Sequence, residues 1–121
     1  MRVKDAVGRF GEQLAAEQLS AAGLEIIARN WRCSAGELDI VAWDGSVLVF
    51  VEVKTRSSVA FGDPAEAVDA AKATRLRRLA LRWLAEHRDP SRFATELRFD
   101  VVSVVRLAPG GPAVRHLRAV L

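Results

Sequence analysis

The sequence predicts a mixed α/β domain, one central sheet covered by two helices in the order α-β-β-β-α-β-β. Three observations carry this. Apolar residues recur at helical spacing over residues 5–22 and 64–87. β-Branched runs bounded by turn residues fill most of 24–54 and 96–120. At 121 residues, with half of them hydrophobic, residues 1–121 suit a single domain with its own core.

The first helix, 5–22, sets Val7, Phe10, Leu14, Ala15, Gln18 and Ala22 along one stripe, and Gly23 stops it. Gly8 and Gly11 fall on that stripe and are expected to permit close packing, since glycine inside a helix otherwise costs stability. Strands are expected at 24–32, 37–43 and 47–54, followed by a polar loop over 55–62. The second helix, 64–87, has Asp63 as N-cap, Pro64 at the first helical position and Glu66 at capping-box spacing. A fourth strand covers 96–107, and the PGGP turn at 109–112 leads into a fifth at 113–120.

Asp44-Gly45 is a strong signal for a two-residue hairpin loop. With that loop, Val41 faces Leu48 and Asp39 faces Phe50. One face then carries Glu37, Asp39, Val41, Trp43, Leu48, Phe50, Glu52 and Lys54. The other carries Leu38, Ile40, Ala42, Val47, Val49, Val51 and Val53, all apolar. A one-residue slip would place Asp39 among the valines at a large desolvation cost. The sheet is therefore expected to be covered on both faces, with a charged corner at one end where Asp39 and Glu52 sit diagonally.

Carboxylates brought together repel unless a proton or a cation sits between them. Oxygen donors of this kind suit Mg²⁺, with Lys54 beside the ion. A cross-strand salt bridge explains the same spacing, and the spacing alone supports both readings equally. Glu12 lies at the margin of the first helix's stripe, next to Gly11. Lys72 lies in the middle of the second helix's stripe, either snorkelling or aimed at the charged corner.

Composition excludes several classes. The longest apolar run, 47–51, is too short to cross a bilayer, and the start, MRVKDAVGRF, lacks a signal-peptide core, so a cytoplasmic protein with no membrane partner is expected. Cys33 is the only cysteine, which rules out an internal disulfide and a multi-cysteine zinc site; a small, half-buried thiol is expected. The net charge is +3, but residues 71–92 hold seven basic residues against Glu86 and Asp89. Lys72, Arg75, Arg78 and Arg82 are the candidate contacts to a polyanion such as nucleic acid, against the plainer reading of a solvated helix face.

Gly11-Glu12, GELD at 36–39 and VEVK at 51–54, in αβββα order, resemble the restriction-endonuclease-like nucleases of the PD-(D/E)XK superfamily. More closely, GRFGEQLAAEQL, RNWRCSAGELDIVAWDG, LVFVEVKTR, the helix with Lys72 and RFDVV at 98–102 resemble the bacterial YraN family over nearly the whole chain. The resemblance implies a restriction-endonuclease-like αβββαβ core, a central mixed sheet flanked by helices. It also implies a metal-dependent phosphodiesterase site akin to that of archaeal Holliday-junction resolvases. Carried over by position, Asp39 and Glu52 hold Mg²⁺ or Mn²⁺, Lys54 orients or activates the attacking water, and Glu12 matches the first-helix acid. Leu38 stands where the superfamily pattern has proline, a departure shared with the YraN pattern. The expected function is an endonuclease that acts on DNA by structure rather than sequence, in repair or recombination. The alternative is a non-catalytic nucleic-acid-binding protein on the same fold. Two-fold branched substrates would require two sites, hence a homodimer.

Overall fold

A computed structural model describes residues 3–58 and 69–120. Its elements are α1 (Val3–Ala21), β1 (Glu25–Cys33), β2 (Gly36–Asp44), β3 (Val47–Arg56), α2 (Ala70–Glu86), β4 (Glu96–Val105) and β5 (Ala113–Leu117). The expected order holds. The strands lie side by side in chain order in one sheet. All neighbours are antiparallel except β3 and β4, which are parallel because α2 carries the chain back before β4 begins.

The helices cover opposite faces. Ala15, Ala16 and Leu19 of α1 pack on Ile40, Ala42, Val49, Val51, Val102 and Val104. Leu76, Leu79, Ala80 and Trp83 of α2 pack on Leu38, Val41, Trp43, Leu48 and Phe50. Cys33 is a free, half-buried thiol beside the α2 layer.

The buried stripe of α1 is rotated from the expected one. Phe10 is 37% exposed and Gln18 is exposed, while Gly11, Ala15, Ala16 and Leu19 face the sheet. Small residues set this face because β3 comes so near that a Cβ at Gly11 would collide with the Thr55 side chain. Open space surrounds Gly8, so close packing there is not observed. The rotation moves Glu12 from the margin of the stripe onto its flank, where it is half-buried.

Asp63, Pro64, Glu66 and residues 59–62 of the expected loop lie outside the described residues. The described helix starts at Ala70, capped by Asp69, whose extended backbone (φ −114°, ψ 176°) lets its carboxylate accept from the Lys72 N–H at 2.8 Å.

The β2–β3 register differs by two residues from the expected one. Trp43 pairs with Leu48 and Asp44 with Val47, so the loop is Gly45-Ser46. Gly45 has φ +61° and supplies the left-handed conformation at the first loop position, which fits a type II′ turn. A slip of two keeps every side chain on its face. Leu38 is nevertheless on the α2 side rather than with Ile40. The cause lies in β1, where Asn30 has φ +52°. On either side of Asn30, Ala28 and Trp31 are three residues apart yet both pack against the α2 layer, and so do their partners Val41 and Leu38. Alternation restarts at that break. Glu37 and Asp39 consequently turn toward α1.

Candidate metal centre

The break at Asn30 decides which acids meet. Glu12 of α1 and Glu37 and Asp39 of β2 each place a carboxylate oxygen within 4.8 Å of the other two. The regular β2–β3 pairing ends at Ile40–Val51, and the Asp39 carboxylate occupies the next position, accepting from the Val53 N–H at 2.8 Å. Asp39 is therefore held by the backbone of β3 while its carboxylate lies among the acids.

The expected diagonal of Asp39 and Glu52 on one face is replaced by a different grouping. Glu52 stays on the α2 side of β3, where Oε1 lies 3.6 Å from Arg75 and Oε2 is buried without a hydrogen-bond partner. Glu37 was the unexpected member. Its signal was in the sequence, since Glu37 and Asp39 are two residues apart on one strand and share a face. Arg32 pairs with it at 2.9 Å from the solvent side.

Asp39 records the electrostatics of this corner. Its carboxyl is pushed up to about 7, first by burial, then by the charges of Glu12, Glu52 and Glu37, against the opposing Val53 N–H. Near neutral pH the carboxyl is thus only partly ionised, and a cation could replace the proton it still holds. The donors are hard carboxylate oxygens from two elements, α1 and β2, which is the chemistry that Mg²⁺ or Mn²⁺ prefers.

Lys54 is half-buried and lines a cleft with Glu12, Gly8, Val53, Thr55 and Ser57. It therefore stands at the same corner as the acids. Lys72 is also half-buried, one turn ahead of Leu76 on the sheet-facing side of α2, and among the described residues it has no ion-pair partner. The α2 residue brought to Glu52 is Arg75. Arg82 donates to Ser34 Oγ at 2.9 Å and lies 3.9 Å from Glu86. Arg78 is exposed. The four basic residues follow one another along α2 beside the acidic corner, two of them tied to the sheet end or its loop.

Among the described residues no helix is long and apolar enough to cross a membrane. A model of the uncharacterised protein family UPF0102 matches residues 11–104, a span that contains Glu12, Glu37, Asp39, Glu52, Lys54 and all of α2. A UPF0102 protein of Beutenbergia cavernae is 60% identical over 120 residues, covering 99% of each chain. Those of Frankia casuarinae (57% over 118 residues, 98% of each chain) and Acidothermus cellulolyticus (50% over 122 residues, 95% of this chain and 92% of the relative) are similar. The chain belongs to the UPF0102 family.

Proposed function

We propose that this chain is a divalent-metal-dependent endonuclease that hydrolyses DNA phosphodiesters. The observation that carries the reading is the convergence of Glu12, Glu37 and Asp39, with Glu12 also lining a cleft together with Lys54. The αβββαβ order with acids at these positions fits the resemblance to PD-(D/E)XK nucleases noted from the sequence. Asp39 is the central ligand, Glu12 and Glu37 its neighbours, and Glu52, with one buried oxygen unpartnered, joins from β3. When bound there, Mg²⁺ or Mn²⁺ supplies Lewis-acid polarisation of the phosphate and a water of lowered pKa. The Lys54 ammonium, a compact point charge, orients that water or meets negative charge developing on the phosphate oxygens. Arg75, Arg78 and Arg82, with Lys72, contact the strand's phosphates, which fixes position without reading sequence. Among the described residues the two helices and five strands include no added module to enter a groove, so recognition is of DNA structure, as in repair or recombination. A junction substrate calls for two such sites, hence a homodimer.

Incubation with junction, flap and linear DNA in Mg²⁺ or Mn²⁺ tests this. Cleavage that follows the branch point and disappears in Asp39→Ala and Lys54→Ala is expected. No cleavage of any substrate by the unaltered protein would refute it. One contact favours a second reading, a non-catalytic DNA-binding protein: Arg75 engages Glu52 and so offsets its charge internally. Salt-dependent DNA binding that is indifferent to divalent ions, with no cleavage, would select it.

A further inference from the structure

We propose that Arg106, just beyond the carboxyl end of β4, forms an anion subsite that holds a backbone phosphate of the bound strand beside the acidic cleft. The proposal rests on the nucleic-acid reading above. The Arg106 N–H donates to the Arg56 carbonyl at 2.9 Å, and the Leu107 N–H to the Ser57 carbonyl at 2.9 Å. These two bonds extend the parallel β3–β4 pairing past its last pair, Arg56–Val105, and set Arg106 alongside Ser57. Ser57 and Thr55 line the cleft that holds Glu12 and Lys54.

The side chain of Arg106 is anomalous. It is half-buried, its Nε is shut off from solvent with no hydrogen-bond partner, and among the described residues no carboxylate pairs with it. Other arginines of the sheet region are satisfied: Arg98 by Asp44 and Asp100, Arg92 by Glu25, Arg32 by Glu37. A buried Nε–H without an acceptor is costly, and an anion that accepts from it relieves the cost. Lys54, which lines the cleft, is likewise half-buried and unpaired among the described residues, and Arg106 stands next to the lining residue Ser57. They lie at the carboxyl ends of the sheet's parallel pair, the place where open α/β sheets receive ligands.

The fork of Arg106 matches a phosphate. The acids nearby would repel a small free anion, so an anion held here must be tethered. A phosphate within a strand is tethered, and its neighbours reach the arginines of α2.

The test is fluorescence-anisotropy binding of a single-stranded oligonucleotide and a four-way junction, in chelator without divalent ions, across a salt series. Arg106→Gln is expected to weaken binding about tenfold at low salt and to reduce the log–log salt slope by about 0.7–0.9, one phosphate's worth. Arg106→Lys should keep the slope, and Arg115→Gln, an exposed charge on β5, should leave the affinity within about twofold. Ser57→Glu gives Arg106 an internal carboxylate. It should weaken binding as Arg106→Gln does while the melting temperature holds or rises, and it decides the matter should Arg106→Gln not fold. Wild-type affinity and slope in both Arg106→Gln and Ser57→Glu would overturn the subsite alone. Competition by inorganic phosphate as effective as that by oligonucleotide would overturn its assignment to a strand. Absence of binding by the unaltered protein would overturn both the subsite and the DNA reading, whereas binding without cleavage leaves the subsite standing.

Discussion

Asp39 and Asp100 sit in neighbouring regions of one sheet and have opposite electrostatics. Asp100 on β4 is wholly buried, yet its carboxyl is held below the ordinary range. Burial pushes it up, but His116 Nε2 at 2.7 Å, Arg98 Nε at 3.0 Å and the Ala119 N–H at 2.9 Å outweigh that push. Arg98 also bonds Asp44 at 2.9 Å, so the network ties the hairpin end of β2 to β4 and β5. Burial is also the largest push on Asp39; there it is opposed only by the Val53 N–H and is reinforced by Glu12, Glu52 and Glu37, so the carboxyl rises to about 7. Burial raises both carboxyls, and the partners decide where each ends. A carboxylate surrounded by donors is a structural clamp. One surrounded by acids is strained until something positive arrives, and that is how functional sites differ from ion-pair networks.

Removing the clamp should have the largest effect. Asp100→Asn leaves His116 without its carboxylate partner and a mostly buried Arg98 with Asp44 alone, and should cost about 3–5 kcal/mol in urea unfolding at pH 7. A loss below about 1 kcal/mol would mean that the network contributes little and that the contrast with Asp39 is one of pKa alone.

The pH dependence sharpens the contrast, because the two residues act in opposite directions. Asp39 is raised, so the folded state binds more protons than the unfolded one between about 4 and 7. Its contribution is fully present below its ordinary value of 3.8 and is lost as pH rises through 7. Asp100 is lowered, so its contribution is present above 3.8 and lost as pH falls through its lower folded value. Without divalent ions the protein should lose on the order of 2 kcal/mol from Asp39 between pH 4 and 8, allowing for its partial exposure. Asp39→Asn should flatten that slope while leaving the acid limb below pH 4 in place. A slope unaltered by Asp39→Asn would mean that other groups set it.

The smallest effect concerns a single neighbour. Glu12→Gln removes one of the repelling charges and should lower the Asp39 midpoint by about half a unit, followed by the carbon resonance of its carboxyl. An unmoved midpoint would place Glu12 outside the cluster in solution.

Much of this arrangement was legible in the sequence, and what was not has identifiable causes. The element order, the covered sheet and the acidic corner follow from period, turn residues and the spacing of GELD and VEVK. The hairpin loop lies one residue later than Asp-Gly predicts because Asp-Gly and Gly-Ser are both good two-residue loops, and only the structure distinguishes them. The grouping of the acids depended on a left-handed Asn30, which resets alternation in two strands at once and leaves no trace in a polarity pattern. The buried stripe of α1 departs from the one its large apolar residues mark because close approach at Thr55 favours Gly11 and alanines. The pairing of Arg75 with Glu52, in place of Lys72, depends on tertiary distances that no local pattern encodes.

The central claim is that the acidic corner at Asp39 is a cation site. Calorimetric titration of Mn²⁺ at pH 7, in two buffers of different ionisation enthalpy, tests it most directly. The account predicts saturable binding of an ion with buffer-dependent heat, because Asp39 gives up its proton as the ion enters, and loss of that binding in Asp39→Asn. Equal binding by Asp39→Asn, or no binding by a folded protein with Glu12, Glu37 and Asp39 intact, would contradict it.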